Sequence, residues 1–371
     1  MSEAYRADHV GSFLRPAEVK EARAAFREGR LSLAQLGHIE DHAILAALER
    51  QSSIGVDIFT DGELRRSGFQ NDLVEAVEGF VATERPAVVR IWQGPGGEPQ
   101  EQGTRQVVGG TLRPVRRLTE HQTRFLQAHA PGPVKMTVPS PNQFPAISFQ
   151  PGVTEQFYPT RSDLLWALVS IITREITALV EDGVSYIQVD EPRYSYYVDP
   201  KWRQHLRALG EDPDTMFDEA IAADNACLQG VQRQGLTVAM HMCRGNNESK
   251  WYAEGGYEPI AEKLFGALAV DTFLLEYDTE RAGTFEPLRF MPRDKMVVLG
   301  LVSSKDPRLE SQDELLRRID EAARYVPIEN LALSPQCGFA STAAGNLLTE
   351  EEQWRKLELV VATARKVWGS S

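Results

Sequence analysis

The chain has 371 residues, 42% of them hydrophobic and 25% charged, a composition that supplies a large core and excludes collagen-like, low-complexity and disordered chains. Forty Lys and Arg against 53 Asp and Glu leave a net charge of −13, the wrong sign for counterion-release binding, so no nucleic-acid partner is expected. Three cysteines, Cys227, Cys243 and Cys337, are too few and odd in number for a disulfide framework, and each is expected as a free thiol or a metal ligand in a reducing compartment.

The amino terminus, Met1-Ser-Glu-Ala-Tyr5, has neither a basic nor an apolar leader region, and no stretch approaches the ~18–20 apolar residues of a membrane span. A cytoplasmic protein with no membrane partner is the expectation. In chain order, apolar runs bounded by Gly, Pro or Asp predict strands at Arg6–Phe13, Ile54–Asp61, Val134–Pro139, Val184–Asp190, Leu236–His241, Asp271–Tyr277, Lys295–Leu301 and Asn330–Ser334. Helical patterns fall between and after them, at Leu31–Ser52, Asp163–Asp182, Met216–Gln234, Tyr257–Leu268, Ser311–Tyr325 and Glu350–Val367. Alternating β and α elements imply parallel strands with right-handed crossovers, and eight of them imply an α/β fold of one domain, residues 1–371, a (β/α)8 TIM barrel. One segment breaks the rhythm: Thr83–Leu118 carries two β-rich runs, Ala87–Trp92 and Gln106–Val115, around the Gly94–Gly103 stretch. It reads as a β-hairpin inserted after strand 2, an ornament, a lid or a contact within a homo-oligomer.

In such barrels the chemistry sits at the carboxyl ends of the strands. Those ends here read Val10-Gly11-Ser12, Asp61-Gly62-Glu63, Asp190-Glu191-Pro192, His241-Met242-Cys243, Glu276-Tyr277-Asp278, Ser303-Ser304-Lys305 and Ser334-Pro335-Gln336-Cys337-Gly338, a polar residue at nearly every one. His241, Cys243, Glu276 and Cys337 are together the donor types that zinc accepts. Gaps of 33 residues from Cys243 to Glu276 and 61 from there to Cys337 spread them over three strands, unlike the close knuckles of structural zinc sites. An ion in the barrel mouth is therefore expected to be catalytic, and thiolate-rich zinc suits activation of an incoming thiol. Asp278 and Asp271 rival Glu276, and Cys227 reads as a packed helix residue.

The motifs His9-Val-Gly-Ser12, Asp61-Gly-Glu63, Gln188-Val-Asp-Glu-Pro192, His241-Met-Cys243, Gly300-Leu-Val-Ser-Ser-Lys305 and Ser334-Pro-Gln-Cys-Gly338 occur in the order found in cobalamin-independent methionine synthases. The chain resembles the carboxyl-terminal catalytic barrel of that family over nearly its whole length, in the short, single-barrel form. The resemblance implies zinc on His241, Cys243, Cys337 and Glu276, and homocysteine held by Gly11, Ser12, Glu63 and Asp190. It implies methyl transfer to the thiol, giving methionine, with Asp190 or Lys305 relaying a proton; Lys305 stands where the long enzymes place a proton-handling His. No Trp follows strand three in Thr137-Val-Pro-Ser-Pro-Asn-Gln143, so the implied partners are a small-molecule thiol and a methyl donor that is methyltetrahydrofolate or something smaller. The epoxyalkane:coenzyme M transferases, which open an epoxide with a thiolate, are similar too and supply the competing expectation; an internal ion pair of Glu63 or Asp190 with a nearby arginine, such as Arg65 or Arg193, is the structural one.

Overall fold

The computed structural model describes residues 5–95 and 98–369, the side chain of Asn71 aside. Met1–Ala4, and Gly96 and Gly97 within the Gly94–Gly103 stretch, lie outside the described residues.

Four strands precede the central sheet: β1 (Val77–Ala82), β2 (Val88–Trp92), β3 (Gln100–Thr104) and β4 (Gln106–Pro114). Six more build it: β5 (Lys135–Pro139), β6 (Tyr186–Asp190), β7 (Thr237–Met242), β8 (Thr272–Glu276), β9 (Met296–Val302) and β10 (Leu331–Pro335). These six pair in parallel in sequence order, β5 to β10, with Val189 opposite Met240 and Leu274 opposite Val298. Every residue of β5, β6, β7, β8 and β10 is buried, the mark of a parallel sheet covered on both faces, which is why these runs are nearly continuous in apolar residues. The six predicted strands from Val134 to Ser334 thus appear within two residues of their expected ends.

The first two predicted strands do not form ladders. Arg6–Phe13 meets the β10 edge through a parallel bridge, Ala7 to Leu333, and Ile54–Asp61 meets the β5 edge through another, Phe59 to Val134. The reason is Asp57, whose Oδ2 accepts the N–H groups of Arg6 (2.7 Å) and Ala7 (2.9 Å) that a strand would have spent on its neighbour. Asp57 N–H still reaches Ala7 O at 3.3 Å, so the two segments lie side by side.

Helices cover the sheet, and their starts are set by local chemistry. Ser32 with Gln35, Thr160 with Asp163 and Thr349 with Glu352 form capping boxes ahead of helices Leu33–Ile54, Arg161–Glu181 and Glu350–Trp368. The helix expected over Met216–Gln234 stops at Cys227, and Gly230 soon follows with φ +79°, a left-handed conformation that closes the turn. Among the described residues no helix is long and apolar enough to cross a membrane.

The segment after the second predicted strand also differs from expectation. Val88–Trp92 pairs with Gln100–Thr104, not with Gln106–Pro114, which instead pairs with Val77–Ala82. The polar run Gln100–Thr104 lies exposed, and with no apolar face to bury it left no periodic signal of a strand.

Candidate metal centre

His241 sits on β7 and Cys243 one residue past its end; Cys337 lies two residues beyond β10. One nitrogen of His241 and the Sγ atoms of Cys243 and Cys337 lie within 4.8 Å of one another, all three residues buried. Residues i and i+2 at a strand terminus can both turn to one point, and the parallel register carries β10 to the same end of the sheet. Both ring nitrogens of His241 are buried and without a hydrogen-bond partner, which an imidazole in the interior tolerates only when something else takes its lone pair or proton. Cys243 and then His241 hold the Cys337 thiol well below the ordinary thiol range, the field of a site built for negative sulfur. An imidazole and two sulfurs at this spacing fit a tetrahedral zinc ion.

Glu276, the last residue of β8, is fully buried beside this group but outside it. Its Oε1 accepts two hydrogen bonds from Arg281, and its Oε2 accepts the Arg244 backbone N–H at 2.7 Å. Burial opposes its ionisation, but Arg281 and Arg244 outweigh burial and hold the carboxyl at about 2. Asp278 joins the same Arg281 and Asp271 pairs with Arg233, so neither rival lies in the group.

The cluster opens into a cavity of about 490 Å3 whose wall includes Ser12, Glu63, Asp190, His241, Cys243 and Cys337. Glu63 takes up a left-handed backbone, φ +54°, a conformation that costs a non-glycine residue about 1–3 kcal/mol. It is held there by the bond from its N–H to Asp61 Oδ1 (2.9 Å), while Thr137 donates to its Oε1 at 2.9 Å. Arg66 stands 3.6 Å from the same oxygen, and Oε2 has no partner. Burial raises the Glu63 carboxyl, and it raises Asp190 to about 7. The Asp190 carboxylate accepts a bond from Gln188 at 2.8 Å, and among the described residues no arginine pairs with it. Arg65 pairs with Glu40 and Asp41, so the internal ion pair expected with a nearby arginine forms at Glu63 with Arg66, not with Arg65 or Arg193.

Gly11 does not line the cavity but permits its wall: at φ +130° a Cβ there would meet Thr137 Cγ2 at 3.2 Å and Glu63 Oε1 at 3.6 Å. Gly338 serves Ser12 in the same way, since its Cβ would fall 1.9 Å from Ser12 Oγ. Lys305 is not brought to the cavity. Its buried ammonium donates to Gly245 O (2.9 Å) and Asn246 Oδ1 (2.8 Å), bracing the loop that follows Cys243. Cys227 is a packed helix residue, its thiol raised by burial.

Sequence reasoning missed several wall residues: Arg90 and Trp92 of β2, Arg193 after β6, and Tyr252. The strand Val88–Trp92 therefore contributes to the site. An Arg alternating with apolar residues in Val88-Val-Arg-Ile-Trp92 was the available signal.

Residues 6–366 match the family model described as the catalytic domain of cobalamin-independent synthase. The chain belongs to the cobalamin-independent methionine synthase family. That family is one of methyltransferases acting on homocysteine, so the motifs quoted from the sequence pointed to the right family. The chain is 40% identical over 98% of its length to the uncharacterized protein YxjH of Bacillus subtilis, covering 95% of that protein. It is 25% identical to a methionine synthase of Saccharolobus islandicus, over 96% of this chain and 93% of that one. Among solved structures, a putative vitamin-B12 independent methionine synthase from Listeria monocytogenes superposes with a TM-score of 0.75 at 30% identity, covering 100% of both chains.

Proposed function

We propose that this methyltransferase alkylates the thiol of homocysteine, giving methionine when the group is methyl, with zinc held by His241, Cys243, Cys337 and Glu276. The observation that carries this reading is the convergence of an imidazole nitrogen and two sulfurs within 4.8 Å at the wall of a cavity that also holds Glu63 and Asp190. When bound, zinc supplies Lewis acidity that keeps a substrate thiol deprotonated at neutral pH. Glu276, whose Oε1 accepts from Arg281, would be the fourth residue to hold the ion.

The rest falls to the chain. Glu63, with a free Oε2, and Asp190 accept hydrogen bonds from the substrate ammonium, while Ser12, given room by Gly11, faces its carboxylate. Methyl transfer forms an S–C bond and breaks the bond between methyl and its donor; the thiol loses a proton and the leaving group of the donor gains one. Asp190, with a carboxyl near 7 and in the wall, is placed to carry that proton. Lys305 acts one step removed, as a positioning residue for the Gly245–Asn246 loop.

The bridges at Ala7 and Phe59 support closure of the sheet into an eight-membered barrel over residues 1–371. A second apolar cluster of Val10, Ile58, Tyr186, Ala239, Leu274, Val298 and Ala332 supports the same, as side chains stacked inside a ring would. The competing reading, epoxide opening by a sulfonated thiol, is favoured by Arg90 and Arg193 in the cavity wall, and Glu63 and Asp190 oppose it.

The test is a product assay of the zinc-loaded protein with homocysteine or coenzyme M, each against methyltetrahydrofolate, a simple methyl donor and a small epoxide. Methionine is the expected product. A coenzyme M thioether, with no methionine from any donor, overturns the reading.

A further inference from the structure

We propose that Arg90 and Arg193 form an anion-binding subsite beside the thiol-activating cluster, and that it takes the carboxylate, phosphate or sulfonate group of the alkyl donor. Both arginines line the cavity, one from strand β2 and one from the turn after β6. Among the described residues neither forms an ion pair with a carboxylate. Their side-chain bonds are to hydroxyls alone: Arg193 Nη1 to Tyr196 Oη at 3.0 Å, and Arg90 Nη2 to Thr104 Oγ1 at 3.3 Å. Arg90 Nε, Arg193 Nε and the indole Nε1 of Trp92 are each buried with no acceptor. Three unmatched N–H donors in one cavity, two of them cationic, are a demand for a negatively charged acceptor.

The pair is also held in place. The Tyr252 ring lies 5.4 Å from the Arg90 guanidinium carbon and 5.2 Å from that of Arg193, so one aromatic ring serves both cations. Trp92 backs Arg90 at 5.3 Å, and Tyr196, itself stacked on Trp202 at 3.9 Å, backs Arg193 at 5.2 Å. Two like charges held by one stiff aromatic frame repel one another, and burial and then Arg193 push the Arg90 guanidinium below its ordinary value. Assignment to the donor rests on the function proposed above, in which Glu63, Asp190 and Ser12 already meet both charged ends of homocysteine.

The experiment titrates the zinc-loaded full chain with sodium sulfate by calorimetry at constant ionic strength, with and without saturating homocysteine. Saturable binding at one site is expected, weakened about tenfold or more in Arg90→Met and in Arg193→Met and restored in part by Arg90→Lys. Sulfate is also expected to raise the thermal midpoint of the wild type and not of Arg90→Met. Arg90→Met without anion is expected to melt no lower than the wild type, because a repulsion has been removed. Non-saturable binding, or affinity unchanged in both Met variants, overturns the subsite. Sulfate and homocysteine bound together support the donor assignment; displacement of sulfate by homocysteine overturns it. A protein that binds sulfate at these arginines and no homocysteine sinks the proposed function and leaves the subsite standing.

Discussion

Arg281 clamps Glu276 with two hydrogen bonds to one oxygen, at 2.9 Å from Nε and 2.7 Å from Nη2, and so holds a carboxylate beside the His–Cys cluster but outside it. The carboxylate is fully buried and its partner nearly so, which makes the pair a geometric latch more than a source of stability. Glu276→Gln is expected to weaken zinc binding about 10–100-fold in competition with a chelating dye, the range seen when a metal site loses part of its support. Wild-type affinity in that variant would restrict the site to three protein ligands.

Cys243→Ser and Cys337→Ser each remove a sulfur from the cluster and are expected to abolish thiol alkylation and lower bound zinc below a tenth of an equivalent, with the circular dichroism of the fold retained. Cys227→Ser is the matched control. Its thiol is buried 3.9 Å from Val169 O in a helix away from the cluster, so zinc content should stay at the wild-type level.

Lys305→Met leaves Gly245 O and Asn246 Oδ1 without their donor. The expected cost is about 1–3 kcal/mol of stability, the penalty for stranding buried acceptors, read as a lowered denaturant midpoint. Activity should fall with it while the shape of the pH–rate profile stays that of the wild type. A lost limb of the profile would instead make Lys305 a proton donor in the reaction.

Behind the cavity, burial raises the Asp224 carboxyl to about 7 from an ordinary 3.8, and burial followed by Asp224 raises Glu191 to about 8. Ser140 and Tyr194 donate to the two Asp224 oxygens at 2.7 and 2.8 Å. A group with a raised folded pKa binds its proton more tightly when folded, so its stabilising effect is complete below the unfolded pKa and is lost as pH rises through the folded one. Stability should therefore decline between about pH 4 and 8, by up to about 1.4 kcal/mol per pH unit for each group. Urea midpoints measured across that window should show a shallower decline in Asp224→Asn; an equal slope would assign the effect elsewhere.

How far the chain order alone reaches is visible in particular residues. The apolar runs at Val184–Asp190 and Leu236–His241 announce buried parallel strands because both faces of such a strand must be apolar, and the residues at their ends then share one rim. On that logic His241, Cys243 and Cys337 were legible as one group. Three of the helices expected from their patterning begin at serine or threonine capping boxes, a contact settled within four residues of chain.

What folding alone decided depends on contacts between residues far apart in sequence. Asp57 turns Arg6–Phe13 away from ladder pairing by accepting its N–H groups across 51 and 50 residues, and no local pattern encodes that. Glu276 takes the Arg244 N–H across 32 residues, and Lys305 reaches back 60 residues to Gly245 instead of into the cavity, because side-chain direction at a strand end is set by whichever charges and carbonyls pack nearby. Arg90 is the clearest case. In the sequence it is a charge within an exposed-looking hairpin; only the pairing of β2 with β3 and the stacking of Tyr252 bring it to face Arg193 across a cavity whose other wall was plain from the motifs.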